Sequence, residues 1–371
     1  TDHAPLTIPL KPNHPYPAQC QYPIPQHALK GLKPVITRLL QHGLLKPTNS
    51  PYNSPILPIQ KPDKSYRLVQ DLCLINQIVL PIHPIVQTRT PSYLQYTLPQ
   101  LYSVIDLKDA FFTIPLHPSS QPLFAFTWTD PDTHQSQQLT WTVLPQGFRD
   151  SPHYFGQALS HDLLSFHLSA SHLIQYFDDL LCSPSYQSSQ QDTTLLLQHL
   201  YLKGYRVSPS KAQISSPSVT YLGIILHQHT HALPADCAQL ISQTRIPTTK
   251  QQLLSFLGIV GYFRLWIPGF AILTKPLYKL TKGNLTDPID PKSFPHSSFH
   301  SLKKALEAAP TLALPDLSHP FSLHTAEIQG CAAGVLTQGQ AHDLLPFYQN
   351  NLTSQFRLAL MSVWGSSHHF N

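Results

Sequence analysis

Residues 173–181 read Leu-Ile-Gln-Tyr-Phe-Asp-Asp-Leu-Leu, so two adjacent carboxylates, Asp178 and Asp179, stand between two short apolar runs. Aspartate tolerates the backbone angles of tight turns, and the flanking aliphatic and aromatic residues are typical of strands. The stretch therefore predicts a β-hairpin with acid at its tip. By itself an Asp-Asp pair in a turn more often indicates only a solvated turn, so its meaning depends on the rest of the chain.

A second acid-tipped strand is predicted at residues 103–112, Ser-Val-Ile-Asp-Leu-Lys-Asp-Ala-Phe-Phe, where a β-branched run ends at Asp106. Two carboxylates that converge from separate strands repel each other unless a cation lies between them. Oxygen ligands of this kind suit Mg²⁺, and two such ions bound by Asp106 and Asp178 would support phosphoryl transfer. The two strands together indicate one site.

Composition bounds the class of protein without deciding it. The chain has 371 residues, of which 42% are hydrophobic, so it is long enough for several domains with real cores. Its net charge of +5, with 22 histidines, is compatible with a nucleic-acid groove but too weak to prove one. The five cysteines show no C-x-x-C spacing, which favours free thiols in a reducing compartment.

The sequence contains few signals of targeting or processing. No apolar run reaches the length of a transmembrane helix, and no signal segment opens the chain. The chain begins at Thr1 and has a single methionine, so we expect it to be a piece of a longer product.

Several ordered motifs carry a resemblance to a known family. Tyr176-Phe177-Asp178-Asp179 resembles the Y-x-D-D motif of retroviral reverse transcriptases, residues 144–148 match L-P-Q-G-F, and Tyr221-Leu222-Gly223 matches the primer-grip hairpin. Residues 21–45 and 256–282 are similar to the fingers and thumb of gammaretroviral enzymes, the murine leukaemia virus type in particular. The chain looks like an endogenous retroviral copy of such an enzyme. The resemblance runs from about Leu6 to Gln338.

The resemblance implies an α+β fold of the right-hand polymerase type. Fingers and palm would interleave over residues 1–230, the thumb would occupy 231–315, and 316–371 would be a truncated connection domain with a ribonuclease-H-like fold. The implied reaction is RNA- and DNA-templated addition of deoxynucleotides to a primer 3′-hydroxyl. The implied partners are a primed template and deoxynucleoside triphosphates, without a membrane, and we expect a monomer in the cytoplasm or the virion.

The resemblance also assigns roles to residues. The metal-binding catalytic carboxylates would be Asp106, Asp178 and Asp179, with two Mg²⁺ or Mn²⁺ ions. The nucleotide would be bound by Lys61, Arg67, Asp109, Ala110, Phe111, Gln146 and Lys211, of which Lys211 resembles a lysine that assists the leaving pyrophosphate. Template and primer would meet Gly147, Tyr176, Tyr221, Leu222 and Gly223.

Periodicity and end signals predict the elements that carry these residues. The N-terminal 26 residues, rich in proline, predict an extended arm. Helices are predicted at 28–45, with Pro34 as a start signal, at 195–202, at 248–267 with Thr248 and Gln251 as the capping pair, and at 299–308. Strands are predicted at 116–128, 139–143 and 204–213, and a hairpin turning at residues 63–64 would present Lys61 and Arg67 together. Ser151 is predicted to cap a further helix, with Pro152 at its first position.

A metal site elsewhere rests on weaker signals. His227, His229 and His231 would point to one face if they shared a strand, and Cys237 follows nearby. These are ligand types that zinc accepts, but a single strand cannot close a tetrahedral shell.

Departures from the family pattern leave an alternative open. The family has an arginine where this chain has Cys73 and a lysine where it has Gln60, so contacts to template or triphosphate are expected to be weaker. A catalytically silent retroviral remnant that still binds nucleic acid is the alternative function. Activity ranks first, because every residue needed for the chemistry is present.

Two finer expectations concern ribonuclease activity and sugar selection. Thr325 and Ala326 stand where the first aspartate of a nuclease is expected, so we predict no ribonuclease H activity. In the family an aromatic residue at the position of Phe111 packs under the nucleotide sugar and collides with a ribose 2′-hydroxyl. We assign Phe111 to this gate and Phe112 to the core, since neighbouring side chains near a strand end point to opposite faces.

Overall fold

The computed structural model describes residues 3–82, 101–168, 171–176, 179–183, 189–227, 230–313, 320–328, 331–338 and 343–351. For Tyr176, residues 179–183 and most of residues 323–351, it describes the backbone alone. These residues divide into two compact units, one of residues 3–82 and 103–215, the other of residues 101–102 and 216–351. In the described part of the chain, no helix is both long enough and apolar enough to span a membrane.

The first unit mixes short strands with four helices among its described residues. Its elements are α1 (Gln26–Gln41), β1 (Leu45–Pro47), β2 (Ile56–Gln60), β3 (Tyr66–Gln70), α2 (Cys73–Ile78), β4 (Tyr102–Asp106), β5 (Phe126–Thr129), β6 (Ser136–Trp141), α3 (Ser151–Leu164), β7 (His172–Tyr176), β8 (Asp179–Ser183), α4 (Ser189–Leu202) and β9 (Gln213–Ser216). Short 3₁₀ turns lie at Ala110–Thr113 and Gln121–Phe124.

Three sheets organise these strands. The order β7-β8-β4-β9 forms a four-stranded sheet, β1-β6-β5 forms a three-stranded sheet, and β2 pairs with β3 alone. One hydrophobic core joins them: α1 contributes Leu32 and Ile36, and the strands and α3 contribute large side chains such as Phe126 and Phe155. The N-terminal arm lies on this body as predicted, since Leu6 bridges to Leu116.

The second unit contains the remaining elements. They are β10 (Ser218–Tyr221), β11 (Ile224–His227), β12 (Thr230–Ala232), α5 (Ala235–Ser242), α6 (Lys250–Tyr262), α7 (Phe270–Lys279), α8 (His296–Glu307), β13 (Leu312–Ala313), β14 (Phe321–Ile328), β15 (Cys331–Gln338) and β16 (Asp343–Asn351). Strands β10 to β13 form one antiparallel sheet and β14 to β16 another. A separate core packs around Trp266 and Phe299.

Several predicted helices and strands are wrong in their bounds or in their type of secondary structure. Helix α1 starts at Gln26, so Pro34 lies inside it rather than at its start. Helix α4 starts six residues before the predicted 195, at Ser189. Residues 116–128 contain the 3₁₀ turn Gln121–Phe124 before β5, because two prolines in this segment cannot donate ladder hydrogen bonds.

Capping was also misplaced by one residue at two helices. Asp150 occupies the N-cap of α3, and Ser151 is a buried helical residue whose hydroxyl donates to the Pro145 carbonyl at 2.9 Å. At α6 the cap is Thr249, whose hydroxyl accepts the Gln252 amide at 3.3 Å. Neighbouring residues of similar capping ability compete at such positions, and packing of the helix decides between them.

Candidate active site

The two acid-bearing strands are neighbours in one sheet. Strand β4 pairs with β8 so that Asp106, the last residue of β4, is the Cα partner of Asp179, the first residue of β8. Strand β7 pairs with β8 with Tyr176 opposite Asp179, so residues 177–178 form the connection between them. The predicted hairpin and its juxtaposition with Asp106 are therefore confirmed, while Phe177 and Asp178 lie outside the described residues.

Lys211 reaches the same edge from the other side of β4. Beyond its end, β4 is bound to the segment 206–208: the Lys108 amide donates to the Arg206 carbonyl at 2.7 Å and the Ser208 amide donates to the Asp106 carbonyl at 2.9 Å. The turn that follows places the Lys211 Nζ 2.7 Å from Asp106 Oδ2. Residues 204–213 are thus not a return strand, because the chain turns at 209–211 and resumes as β9.

The turn after Asp106 carries three further candidate residues. Asp109 adopts the left-handed conformation, with a φ of 54°, and opens the 3₁₀ turn that contains the buried Ala110. Phe111 meets the ring of Phe155 edge-on at 5.9 Å, whereas Phe112 stacks on Trp141 at 5.2 Å. Both rings are half-buried, and they face different neighbours because both residues lie in a 3₁₀ turn, where successive side chains point about 120° apart.

The hairpin of β2 and β3 presents the predicted cations. Arg67 lies opposite Ile59, and Lys61 follows β2 directly, with its amide donating to the Ser65 carbonyl at 2.8 Å. Lys64 takes a φ of 64° at the turn, as the polar turn signal predicts. The Tyr66 ring covers Gly31 of α1 so closely that a Cβ there would lie 2.2 Å from it. Gly31 therefore lets the hairpin rest on α1.

Arg67 and Gln146 meet, although 79 residues separate them in the chain. The Arg67 Nε donates to Gln146 Oε1 at 2.8 Å, and a second guanidinium nitrogen donates to the same oxygen. The structure thus brings together two residues that the resemblance assigns to the nucleotide. Both side chains are exposed to solvent at this contact.

The loop that carries Gln146 is fixed by backbone geometry and by α2. Gly147 has a φ of 94°, and a Cβ at this position would lie 3.1 Å from the Gln70 carbonyl oxygen. Asn76 of α2 holds both sides of the loop, since its amide donates to the Gly147 carbonyl at 3.4 Å and its Oδ1 accepts the Arg149 amide at 3.0 Å. Asn76 was not singled out from the sequence, because no local signal marks a contact 71 residues away.

The departure at Cys73 has a local structural role. Cys73 begins α2 and its amide donates to Asp71 Oδ1 at 3.1 Å, while the Tyr22 hydroxyl donates to Asp71 Oδ2 at 3.3 Å. Hydrogen bonds from the Cys73 side chain and amide lower the pKa of Asp71, and the same carboxylate raises the pKa of the Cys73 thiol. The other departure, Gln60, is an exposed strand residue.

In the second unit the predicted primer hairpin is present. Strands β10 and β11 are joined by Leu222 and Gly223, whose φ angles of 50° and 72° are those of a two-residue hairpin turn. The Tyr262 hydroxyl of α6 donates to the Leu222 carbonyl. Tyr221 is buried at the end of β10, so the turn is held from the sheet and from the helix.

The histidine interpretation is wrong in its geometry. His227 ends β11 and His231 lies on β12, two antiparallel strands, so the residues do not share one strand; His229 is outside the described residues. His231 is fully buried beside the Trp266 ring, and burial lowers its pKa to about 4. Among the side chains that the structure describes, no three of His, Cys, Asp and Glu come together as a metal site.

The carboxylate edge of β4 and β8 has the chemistry that a divalent cation needs. Asp106 offers a hard oxygen ligand that is one-fifth exposed, and a cationic group, the Lys211 ammonium, already lies against its Oδ2. Asp179 is adjacent in register, on the strand that follows the connection containing Asp178. Asp106, the carboxylate whose side chain the structure describes at this edge, is therefore a ligand of the type that magnesium and manganese take.

The chain is similar to known viral proteins. Residues 59–226 match the family model described as reverse transcriptase (RNA-dependent DNA polymerase). The Gag-Pol polyproteins of gibbon ape leukemia virus and koala retrovirus are each 46% identical over 341 residues, which is 90% of this chain and 20% of each polyprotein. The Gag-Pol polyprotein of avian reticuloendotheliosis virus is 47% identical over 86% of this chain and 28% of its own length. The chain thus spans 20% to 28% of the length of these relatives.

Solved structures give a matching result. The foamy viral protease-reverse transcriptase dRH in complex with double-stranded DNA superposes with a TM-score of 0.81 at 25% identity, covering 98% of this chain and 65% of that one. The foamy viral protease-reverse transcriptase in complex with an RNA/DNA hybrid gives a TM-score of 0.76 at 25% identity, covering 98% and 50%. The α+β polymerase fold is therefore confirmed.

Proposed function

This chain carries a reverse transcriptase domain similar to those of gammaretroviral Pol polyproteins, and on that premise we propose that it extends primers with deoxynucleotides on RNA or DNA templates. The observation that carries the proposal is the register that makes Asp106 and Asp179 strand partners, with Lys211 Nζ 2.7 Å from Asp106. Carboxylates and a cation at one strand edge are what phosphoryl transfer requires.

Asp106, Asp178 and Asp179 would hold two Mg²⁺ or Mn²⁺ ions. When bound, such ions activate the attacking 3′-hydroxyl and neutralise charge on the departing pyrophosphate. Lys211 carries its ammonium at the same edge, where it stabilises negative charge on the leaving group. The partial exposure of Asp106 leaves the edge open to substrate.

The triphosphate would be gripped from the β2–β3 hairpin. Arg67 provides a planar, bidentate donor for phosphate oxygens and Lys61 a compact charge. Gln146 orients the Arg67 guanidinium through the hydrogen bond at 2.8 Å. Asp109 and Ala110 form the backbone turn beneath the sugar, with Phe111 as the gate.

Template and primer would be bound by Gly147 and Tyr176 in the first unit and by Tyr221, Leu222 and Gly223 in the second. The structural neighbours were solved with double-stranded DNA or an RNA/DNA hybrid, which supports nucleic acid as the partner. We propose that the chain acts as a monomer inside the cell or virion. Its domains would be fingers and palm to residue 230, thumb to 315 and a partial connection domain beyond.

Primer extension on an RNA template, with Mg²⁺ or Mn²⁺, tests this proposal. The wild-type chain should extend the primer, and Asp178→Asn should not. Equal extension by both would refute the metal-site assignment. No extension by either, with the primed template still bound, would favour the catalytically silent remnant.

The absence of ribonuclease H activity is a separate proposal. Thr325 and Ala326 lie in mid-strand on β14, opposite Gly334 and Ala333 of β15, and neither offers a carboxylate. Two-metal hydrolysis needs several acidic ligands. A labelled RNA strand in a hybrid should therefore stay intact with this chain, and degradation by a nuclease-free preparation would overturn the proposal.

A further inference from the structure

Gln70, the last residue of β3, has a buried side chain with both ends of its amide in use. Its side chain is 4% exposed, and its Nε2 donates to the Phe124 carbonyl at 3.1 Å and to the Ala125 carbonyl at 3.3 Å. Its Oε1 accepts the indole N–H of Trp141 at 3.1 Å. A buried amide satisfied in this way is fixed in position, since losing any partner leaves a polar group without water.

These bonds join two separate sheets. Gln70 belongs to the β2–β3 hairpin, whereas Ala125 precedes β5 and Trp141 ends β6 in the three-stranded sheet. The Trp141 ring also stacks on Phe112, the neighbour of the proposed sugar gate. The side chain therefore links the hairpin that carries Arg67 to the sheet on which Phe112, the neighbour of the gate, is stacked.

The backbone of Gln70 makes a third connection. Its carbonyl oxygen is the atom that a Cβ on Gly147 would approach to 3.1 Å, so the Gln146 loop packs directly against it. Gln70 thus follows Arg67 closely in the chain and packs against the loop that carries Gln146. Arg67 and Gln146 in turn bind each other. A shift of Gln70 would move one against the other.

We propose that Gln70 is a positioning residue for nucleotide selection, holding Arg67, Gln146 and the Phe111 turn in the spacing that a deoxynucleoside triphosphate fits. This inference rests on the proposed polymerase function. Gln70 does not touch the reacting atoms, so its effect should appear in nucleotide binding more than in turnover. Arg67 and Gln146 would contact the nucleotide already in the bound ground state, and the loss of interactions made equally in the ground and transition states raises KM and leaves kcat unchanged.

Gln121 provides a matched control. It is also a buried glutamine, 7% exposed, and its Nε2 donates to the Leu116 carbonyl at 2.9 Å. It lies on the 3₁₀ turn before β5 and has no hydrogen bond to Arg67, Gln146 or Trp141 among the contacts of the described residues. Gln121→Leu removes a buried glutamine side chain with one hydrogen bond and leaves the Gln70 bonds to Phe124, Ala125 and Trp141 in place.

The experiment measures KM and kcat for single-nucleotide extension, the dissociation constant of the incoming nucleotide on a dideoxy-terminated primer–template, and the melting temperature. Gln70→Leu should raise the nucleotide KM and dissociation constant about tenfold, with kcat within about twofold of wild type. Gln121→Leu should lower the melting temperature by less, because the Gln121 Oε1 accepts no hydrogen bond among the described residues, and should leave the nucleotide constants within about twofold. Gln70→Met has nearly the length of glutamine and no polar group, so it should change the nucleotide constants as Gln70→Leu does.

Two results would overturn the proposal: equal shifts in nucleotide binding for Gln70→Leu and Gln121→Leu, or a loss of kcat with unchanged binding. Should Gln70→Leu fail to fold, Gln70→Met decides in the same way. A wild-type chain that binds nucleotide without extending primers would contradict the proposed function alone, since the dissociation constants still compare the variants.

Discussion

Two carboxylates of the first unit, Asp106 and Asp162, each lie beside a lysine, yet their surroundings differ. Asp106 is 20% exposed and pairs with Lys211, itself 69% exposed, at 2.7 Å. Asp162 is 9% exposed; the Tyr205 hydroxyl donates to its Oδ2 at 2.7 Å, His3 Nε2 lies 3.3 Å from the same oxygen and Lys203 Nζ lies 3.5 Å from Oδ1. The first carboxylate is open to a ligand, and the second is enclosed by protein donors.

The contrast separates a carboxylate suited to chemistry from one suited to structure. Burial and the neighbouring carboxylate raise the pKa of Tyr205, so its hydroxyl stays protonated and keeps donating to Asp162. With its oxygens occupied by this hydroxyl and by Lys203, Asp162 has little left to offer a cation. Asp106 stands at a strand end, in register with Asp179.

Asp106→Asn should give the largest effect. Removing the charge from the open edge should reduce primer extension by about 1,000-fold, the scale seen when a preorganised electrostatic group is lost. The free energy of unfolding should stay within about 0.5 kcal/mol of wild type, because the Lys211 pair is solvent-exposed. Single-turnover extension and denaturant unfolding measure the two. A large loss of stability would erase the contrast with Asp162.

Asp162→Asn should show the opposite pattern. Breaking the enclosed contacts with Tyr205 and Lys203 should cost about 2–3 kcal/mol of unfolding free energy, since a buried tyrosine hydroxyl and a cation lose their charged acceptor. Extension per folded molecule should stay within about twofold of wild type. The comparison fails if this variant is as stable as wild type and inactive.

His231 extends the contrast to the second unit, as an enclosed titratable group away from the proposed chemistry. Burial holds its pKa at about 4, below the value near 6.5 of the unfolded chain, so the unfolded state binds the proton more readily between these values. The stabilisation is fully present above pH 6.5 and is lost as pH falls towards 4. At pH 5 the loss should be about 2 kcal/mol.

Paired variants isolate this effect from the other histidines. His231→Leu should remove about that amount from the difference in unfolding free energy between pH 7 and pH 5. His227→Gln, on the adjacent strand with an exposed side chain, should leave the difference unchanged. An unaltered pH dependence in His231→Leu would show that the buried ring does not set it.

Features that depend on residues within one segment were predicted from the sequence, and contacts between distant segments were not. The hairpin around Asp178, the α1 helix and the Lys61–Arg67 turn depend on periodicity and turn residues within one segment, and the structure has them. The acids at two strand ends predicted one shared site, and the structure adds the register that makes Asp106 and Asp179 Cα partners. Such local patterns decide which elements form.

Contacts between distant segments were beyond this reasoning. Nothing local marks Asn76 as the residue that holds the Gln146 loop, or Gln70 as the one that joins two sheets. The segment before Lys211 has strand-like composition and bridges to the end of β4 at Val207. It then turns, because Pro209 has no amide to donate and the Lys211 and Ala212 amides donate back to the Ser208 carbonyl.

The smallest expected effect concerns the rings of Phe111 and Phe112, which follow Asp106 in the chain. It tests whether the proposed sugar gate, like the Asp106 carboxylate, is accessible to a ligand. Phe111→Val should raise ribonucleotide incorporation relative to deoxynucleotide about tenfold, because a 2′-hydroxyl against the ring is desolvated without a partner at a cost of about 1–3 kcal/mol. Phe112 stacks on Trp141, so Phe112→Val should mainly lower stability, by about 1 kcal/mol for the lost ring contact. Single-nucleotide extension with each sugar, together with melting temperatures, compares the pair.

Since Phe111 also touches the fully buried Phe155, some loss of stability is expected there too, and the discriminating quantity is the sugar ratio. A changed ratio in Phe112→Val and an unchanged one in Phe111→Val would exchange the two roles and place the gate on the Trp141 side of the turn.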